Sequence, residues 1–298
     1  MPRLYGWLAM PFLVSAAVAA QMEVRTDIEF ATVADTRLLM DAYLPRGSGP
    51  FPAIIWVHGG GFVSGDKKQY PKVIIDPLLD SGFAVFSVNY RLAPKHPFPA
   101  ATDDLESAIH YIKSHAESFK VDPDRLILMG ESAGGHLVSF VGAKHKPENR
   151  VAGVVSFYGE HDLVARTTED PCIMDGKAVP KPPGGCLSPG LAAFLGISEV
   201  TIENEKLVRE ASAVTYVKKD MPAYLLIHGT REFHVPFEQA VIMHEAMEKV
   251  GADCTLIPVI GGSHGLGGWE KSPTMQEYKP RMMEWIRKQT HTQAQPLR

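Results

Sequence analysis

Three short stretches set reactive side chains among glycines. In Gly130-Glu131-Ser132-Ala133-Gly134 a lone hydroxyl follows the apolar run Leu126–Met129 and precedes a segment that is apolar at helical spacing. A strand that becomes a helix within one tight turn imposes strained backbone angles on the residue at the turn, and the flanking glycines leave it room. Its hydroxyl then stands exposed at the helix N-terminus. A serine at a helix start can also be an N-cap. The strand before and helix after Ser132 point instead to a nucleophile.

A serine hydroxyl needs a base, and the base needs a carboxylate to orient it. Where a strand–turn–helix carries the nucleophile, the order along the chain is Ser, acid, His. His161, His228, His234, His244, His264 and His291 follow Ser132. Of these, His264 lies in Gly261-Gly262-Ser263-His264-Gly265, a glycine-rich loop after the last apolar run, free to reach over a sheet edge, and it is the expected base. The acid should follow a strand C-terminus between the two. Glu232 does so in HGTREFHVP and Asp162 does so in YGEHD; Glu232 is favoured and Asp162 stays open. Asp220 and Asp253 sit at the wrong ends of their strands.

The third stretch is Trp56-Val57-His58-Gly59-Gly60-Gly61-Phe62. A strand ending in three glycines leaves backbone N–H groups able to converge on one point. Gly60 and Gly61, with the Ala133 N–H, could hold the oxyanion of a tetrahedral intermediate. A phosphate cradle would call for G-x-x-x-x-G-K-[ST] or G-x-G-x-x-G, and neither accompanies it. His58 is expected to brace this loop and to take no part in proton transfer.

These residues need a frame. PAIIWVHGG, FAVFSVNY, RLILMGES, VAGVVSFYG, AYLLIHG and CTLIPVIGG are short, almost continuously apolar runs, as in strands buried on both faces. EVRTDIEFATV and TRLLMDAYL alternate and suit an antiparallel pair joined at Ala34-Asp35. Helical patterns lie between, such as the stripe Leu105, Ala108, Ile109 and Ile112. Another runs from Pro236, suited to a first helical turn, to a stop at Gly251. Strand–helix alternation of this kind predicts an α/β fold with a mostly parallel sheet of about eight strands and helices on both faces. Residues 159–222 interrupt the rhythm with a connection long enough to act as a lid, carrying short helical patterns at Pro189–Leu195 and Asn204–Ala211.

With 298 residues, 45% hydrophobic and 21% charged, the chain can bury one large core. Its net charge of −4 and scattered basic residues give no surface for nucleic acid. Arg3, the apolar stretch Leu4–Val14 and the small residues Ala17–Ala20 suit a signal peptide over residues 1–20. The expectation is a secreted or periplasmic protein without a stable membrane anchor, its globular domain spanning 21–298. Oxidation in such a compartment suits a disulfide between Cys172 and Cys186, which bracket a Pro/Gly-rich loop. Cys254 reads as an unpaired core thiol.

Taken together, HGGGF, VNYRLAPKHPFPAATDDL, DPDRLILMGESAGGHL, HGTREFHVP and GGSHG resemble the α/β-hydrolase superfamily. Within it the sequence is similar to the hormone-sensitive-lipase-like esterases and the acetyl- and feruloyl-esterase-like group. The resemblance runs from about residue 23 to 288. It implies an α/β-hydrolase fold and a serine carboxylic-ester hydrolase with Ser132 and His264 in its triad, Gly60, Gly61 and Ala133 at its oxyanion hole, and no metal or cofactor. Its substrates would be small-molecule or oligosaccharide esters. Glu232 departs from the aspartate usual in that family. Phe62 and Trp269 are candidate substrate-binding residues, Trp269 equally a packing residue. The alternatives on the same fold are a serine peptidase of the prolyl-oligopeptidase kind and a non-catalytic binding protein. Ala133, where such peptidases place an aromatic, weighs against the first, and the presence of His264 weighs against the second.

Overall fold

The computed structural model describes residues 22–168, 172–174, 177–181 and 185–291. The leader expected at residues 1–20 lies outside the described residues. Eight strands form the main sheet: β1 (Met22–Val33), β2 (Thr36–Pro45), β3 (Phe51–Val57), β4 (Ala84–Val88), β5 (Val121–Glu131), β6 (Gly153–Phe157), β9 (Ala223–Gly229) and β10 (Cys254–Val259). Their spatial order is β1-β2-β4-β3-β5-β6-β9-β10. The β1–β2 and β2–β4 pairs are antiparallel and every other pairing is parallel. Two further strands, β7 (Cys172–Met174) and β8 (Lys177–Val179), make a small separate ribbon that no sequence pattern announced.

The parallel strands are buried on both sides because they feed two cores. In β3, Ala53, Ile55 and Val57 pack into one, while Ile54 and Trp56 pack into the other. Strand geometry sends successive side chains to opposite faces, so a continuous apolar run serves both. The first core is closed by α2 (Ala100–Ser114), α4 (Ala133–Ala143) and α8 (Glu238–Val250), which contribute Leu105 and Ile109, Leu137 and Phe140, and Met243 and Met247. The second is closed by α1 (Lys72–Asp80) and α9 (Tyr278–Gln289) through Ile75, Leu78, Met282 and Ile286. No sequence expectation covered α1, where Val73-Ile74-Ile75 reads as a strand and Pro77 interrupts the helical pattern. A one-turn helix, α3 (Ala116–Phe119), follows α2. Helix α8 begins one residue after Phe237, and Pro236 lies just outside it, its carbonyl accepting from the Gln239 amide at 3.0 Å.

The sheet pairs β5 with β3 on one side and β6 on the other, so the C-terminal ends of all three lie together. The connection from β3 runs to β4 on one side, whereas β5 is placed on the other. A crevice at the carboxyl ends of strands belongs at such a reversal. Residues 159–222 carry α5 (Leu163–Thr168), α6 (Pro189–Leu195) and α7 (Glu205–Glu210). They are anchored by buried Leu163, Leu191, Phe194, Val208 and Ala211, which join the first core. Cys172 and Cys186 form a disulfide within this insertion, as expected.

Candidate active site

Ser132 stands between β5 and α4 with φ 53° and ψ −121°. Left-handed φ is costly for a residue with a side chain and persists only where the surroundings enforce it. Two contacts do so here: the Ser132 amide donates to the Phe157 carbonyl at 2.9 Å, and its carbonyl accepts from the His136 amide at 3.0 Å. The flanking glycines are dictated by close approach of chains. A Cβ on Gly130 would lie 2.5 Å from the Gly134 carbonyl oxygen, and one on Gly134 would lie 2.1 Å from that of Val57.

The chain's fold brings the three chemistry-bearing residues into line. His264 Nε2 is 3.0 Å from Ser132 Oγ, and His264 Nδ1 is 2.8 Å from Glu232 Oε2. Glu232 Oε1 accepts from the His234 and Val235 amides at 2.7 and 3.4 Å. Its side chain is fully buried, whereas a quarter of the His264 side chain is exposed. Burial pushes the Glu232 carboxyl up, but hydrogen bonding and charge from His264, with the His234 amide, outweigh it and leave the group below its ordinary range. Asp162, the alternative acid, is elsewhere: its carboxylate accepts from the Ala165 amide at 3.0 Å and starts α5. Glu232 therefore holds the position that the sequence left between two candidates.

Beside the serine, Gly60 (φ 110°) and Gly61 (φ 59°) turn the chain after β3. Among the described residues no protein acceptor takes the amide N–H of Gly60, Gly61 or Ala133. His58 braces the turn, as expected. Its buried ring stacks on Tyr90, Nδ1 lies 2.7 Å from the Gly59 carbonyl oxygen, and burial lowers its pKa.

A cleft of about 360 Å³ opens at Ser132 and His264, walled by Phe62, Leu191, Val235, Glu160 and Arg166. Phe62 lines it, held by stacking on Phe194 at 4.1 Å between ring centroids. The insertion supplies Leu191 and sits tightly against the glycine turn, since a Cβ on Gly190 would meet the Gly61 carbonyl oxygen at 2.5 Å. Trp269 does not line the cleft. It is completely buried in the second core, edge-on to Tyr158 and Tyr278, with Nε1 donating to the Ser263 carbonyl at 2.8 Å. A large ring with one donor packs best where that donor finds an acceptor, and here the acceptor is the backbone of the histidine loop.

Two charged residues of the cleft, Glu160 and Arg166, carry no sequence expectation. Glu160 and Arg166 form a buried ion pair at 3.2 Å, and Arg166 Nη2 donates to the His234 carbonyl at 3.2 Å. A carboxylate three residues past a strand end, in YGEHD, was the available signal, but Asp162 in the same stretch competed for it. A second, wider depression of about 530 Å³ reaches the same serine and histidine from the other side, lined by Gly59, Gly60, Gln69, Glu131 and Tyr158. There the Tyr158 hydroxyl donates to Glu131, whose carboxyl is raised mainly by burial. Among the described residues no cluster of His, Cys, Asp or Glu could hold a metal ion.

The eight-stranded sheet with a serine elbow after its fifth strand is the α/β-hydrolase fold. Residues 40–247 match the BD-FAE family. The chain belongs to the BD-FAE family.

This BD-FAE member is 27% identical over 246 residues to esterase LipC of Mycobacterium tuberculosis, an alignment covering 76% of this chain and 56% of LipC. It spans about half the length of the curated relatives it matches. A truncated carbohydrate esterase from gut microbiota superposes with a TM-score of 0.74 at 26% identity, covering 91% of this chain and 97% of that one. Esterase Est2 of the planctomycete Thermogutta terrifontis shares the fold, with a TM-score of 0.69 at 20% identity over 93% of this chain and 94% of its own. The family match includes β5, its serine elbow and the Glu232 loop but stops short of His264, which the fold itself delivers to the serine.

Proposed function

We propose that this BD-FAE member is a serine carboxylic-ester hydrolase that works through an acyl-enzyme. The observation that carries this reading is the unbroken line Glu232–His264–Ser132, at 2.8 and 3.0 Å, beside three backbone N–H groups without an acceptor among the described residues. In the first step His264 Nε2 takes the Ser132 proton as Oγ attacks the ester carbonyl. The Gly60, Gly61 and Ala133 N–H groups receive the oxyanion. The imidazolium, stabilised by the Glu232 carboxylate, then protonates the departing alcohol oxygen. Water, deprotonated by the same ring, attacks the acyl-serine and releases the acid.

The substrates fit esters of short acyl groups or of acyl groups carried on carbohydrate, of the acetyl and feruloyl type. Two features support this: the acyl-sized cleft of about 360 Å³ and the wider, polar depression beside it. The likeness to a carbohydrate esterase adds to them. The leader-like residues 1–20 and the Cys172–Cys186 disulfide support export to an oxidising compartment. Hydrolysis of p-nitrophenyl acetate to decanoate, with fluorophosphonate labelling followed by peptide mass spectrometry, tests the reading. The expected result is turnover of the short esters and a label on Ser132. Absence of turnover by the folded protein on every ester, or a label on another residue, overturns it.

A further inference from the structure

The cleft contains a carboxylate oxygen that the triad chemistry leaves unused. Glu160 follows β6, its side chain is nine-tenths buried, and the remainder opens on the cleft beside Ser132 and His264. Its Oε1 accepts from Arg166 Nε at 3.2 Å, and its backbone carbonyl lies 3.0 Å from His136 Nδ1. No described residue donates to Oε2. A carboxylate offers about four acceptor sites, and one that a bound ligand cuts off from water without offering a donor is costly. Phe62, Leu191 and Val235 in the cleft wall are apolar, and among the described residues none of the cleft's polar groups other than Arg166 bonds to the carboxylate.

The two depressions that meet at Ser132 differ in the way that the two halves of an ester differ. An alcohol belonging to an oligosaccharide continues beyond the scissile bond and needs the wider side, along Gln69, Glu131 and Tyr158. The acyl group ends, and it suits the more enclosed cleft closed by the insertion at Ser188–Leu191.

We propose that Glu160 is a specificity-determining residue of the acyl side, its Oε2 accepting a hydrogen bond from a hydroxyl borne by the substrate's acyl group. A plain hydrocarbon acyl group strips water from this oxygen and returns no donor, whereas a hydroxylated one replaces the lost bond. Arg166 fixes the carboxylate's orientation through Oε1 and leaves Oε2 turned to the cleft. The assignment rests on the ester-hydrolase reading above.

The test compares kcat/KM for methyl cinnamate with its 3-hydroxy and 4-hydroxy derivatives, and for methyl butyrate with methyl 3-hydroxybutyrate. p-Nitrophenyl acetate serves as the measure of the basic reaction. The wild type is expected to prefer at least one hydroxylated member by tenfold or more. In Glu160→Gln that preference falls at least threefold. Glu160→Asp, which keeps the charge beside Arg166 and withdraws the oxygen by one methylene, also lowers it. The ratio within each pair is the readout, because a purely structural defect lowers both members together. Turnover of p-nitrophenyl acetate with no hydroxyl preference in the wild type overturns the assignment and leaves the hydrolase reading standing. So does a preference that survives in either folded variant. Failure on p-nitrophenyl acetate itself defeats the hydrolase reading and the assignment with it.

Discussion

Glu232 and His264, separated by 32 positions in the sequence, meet with Oε2 2.8 Å from Nδ1, and the other Glu232 oxygen is held by the amides of His234 and Val235. The carboxylate is therefore clamped from both sides. The extra methylene that distinguishes Glu from Asp is taken up by the HGTREFHVP loop, which folds back so that its own backbone becomes the second clamp.

Glu232→Gln keeps the shape and removes the charge that stabilises the imidazolium. It is expected to lower kcat on p-nitrophenyl acetate by about 10³–10⁴-fold. Asp162→Asn, which retains a side-chain acceptor for the Ala165 amide, should stay within about twofold of wild type. Steady-state kinetics on the two variants separates them, and a severe loss in Asp162→Asn with a mild one in Glu232→Gln would reverse the assignment.

Two neighbouring glycines should respond differently to alanine. A Cβ on Gly60 would lie 2.1 Å from the Ser64 carbonyl oxygen, at φ 110°, so the turn must shift and its N–H with it. Gly60→Ala is expected to cost about 10²–10³ in kcat. On Gly61, at φ 59°, the same methyl meets nothing within 4 Å, and the cost is mainly backbone strain of about 1 kcal/mol. Its kcat should fall less than about tenfold. Equal losses in the two variants would show that the turn tolerates neither, or depends on neither.

Acid should destabilise the protein well above the carboxylate range. Burial holds His136 and His228 at about 4, and it lowers His58 and, with help from neighbouring His228 and His136, His161. Unfolding frees each ring to its ordinary value near 6.5, so below that pH the unfolded chain binds more protons and stability falls as pH falls. Each such ring adds at most about 1.4 kcal/mol per pH unit. Glu131 and Glu160, raised chiefly by burial, take up protons when folded and act in the opposite sense. Glu232, held low, adds a further loss once the pH drops below the ordinary carboxylate range. Between pH 7 and 5.5 it is the histidines' ordinary value that is crossed, which predicts a lower urea midpoint at pH 5.5 than at pH 7. A flat profile would show that these rings are not buried as neutral groups.

Trp269→Ala should act on stability and on the histidine loop together. Removing a buried ring of this size costs about 3–5 kcal/mol and frees the Ser263 carbonyl. Thermal unfolding should begin at lower temperature and kcat should drop, while the acyl-chain-length profile keeps its shape. A changed profile in a protein of unaltered stability would place the ring in the cleft after all.

Much of the site was legible because local chemistry allows few readings of certain strings. Gly130–Gly134 can place a hydroxyl at a strand-to-helix turn only if its two end residues lack side chains, and three glycines after β3 free N–H groups that nothing local can absorb. Continuous apolar runs marked the doubly buried strands, because each face needs every second residue. Other features depended on distance in space. Choosing Glu232 over Asp162 required knowing which loop tip faces the His264 ring, and both tips follow equivalent strands. Trp269 could turn either to the cleft or to the core, and the Ser263 carbonyl and the Tyr158 and Tyr278 rings decided for the core. Glu160 and Arg166 left only a faint mark in the sequence, since a charged pair acquires meaning only when folding removes its water and sets it in the wall of a cleft. The sequence by itself determined which atoms can react and which strands carry them, through short-range sterics and periodicity. Tertiary structure alone decided which carboxylate faces the histidine and what lines the cleft beside the serine, because those follow from loops packed across the ends of different strands.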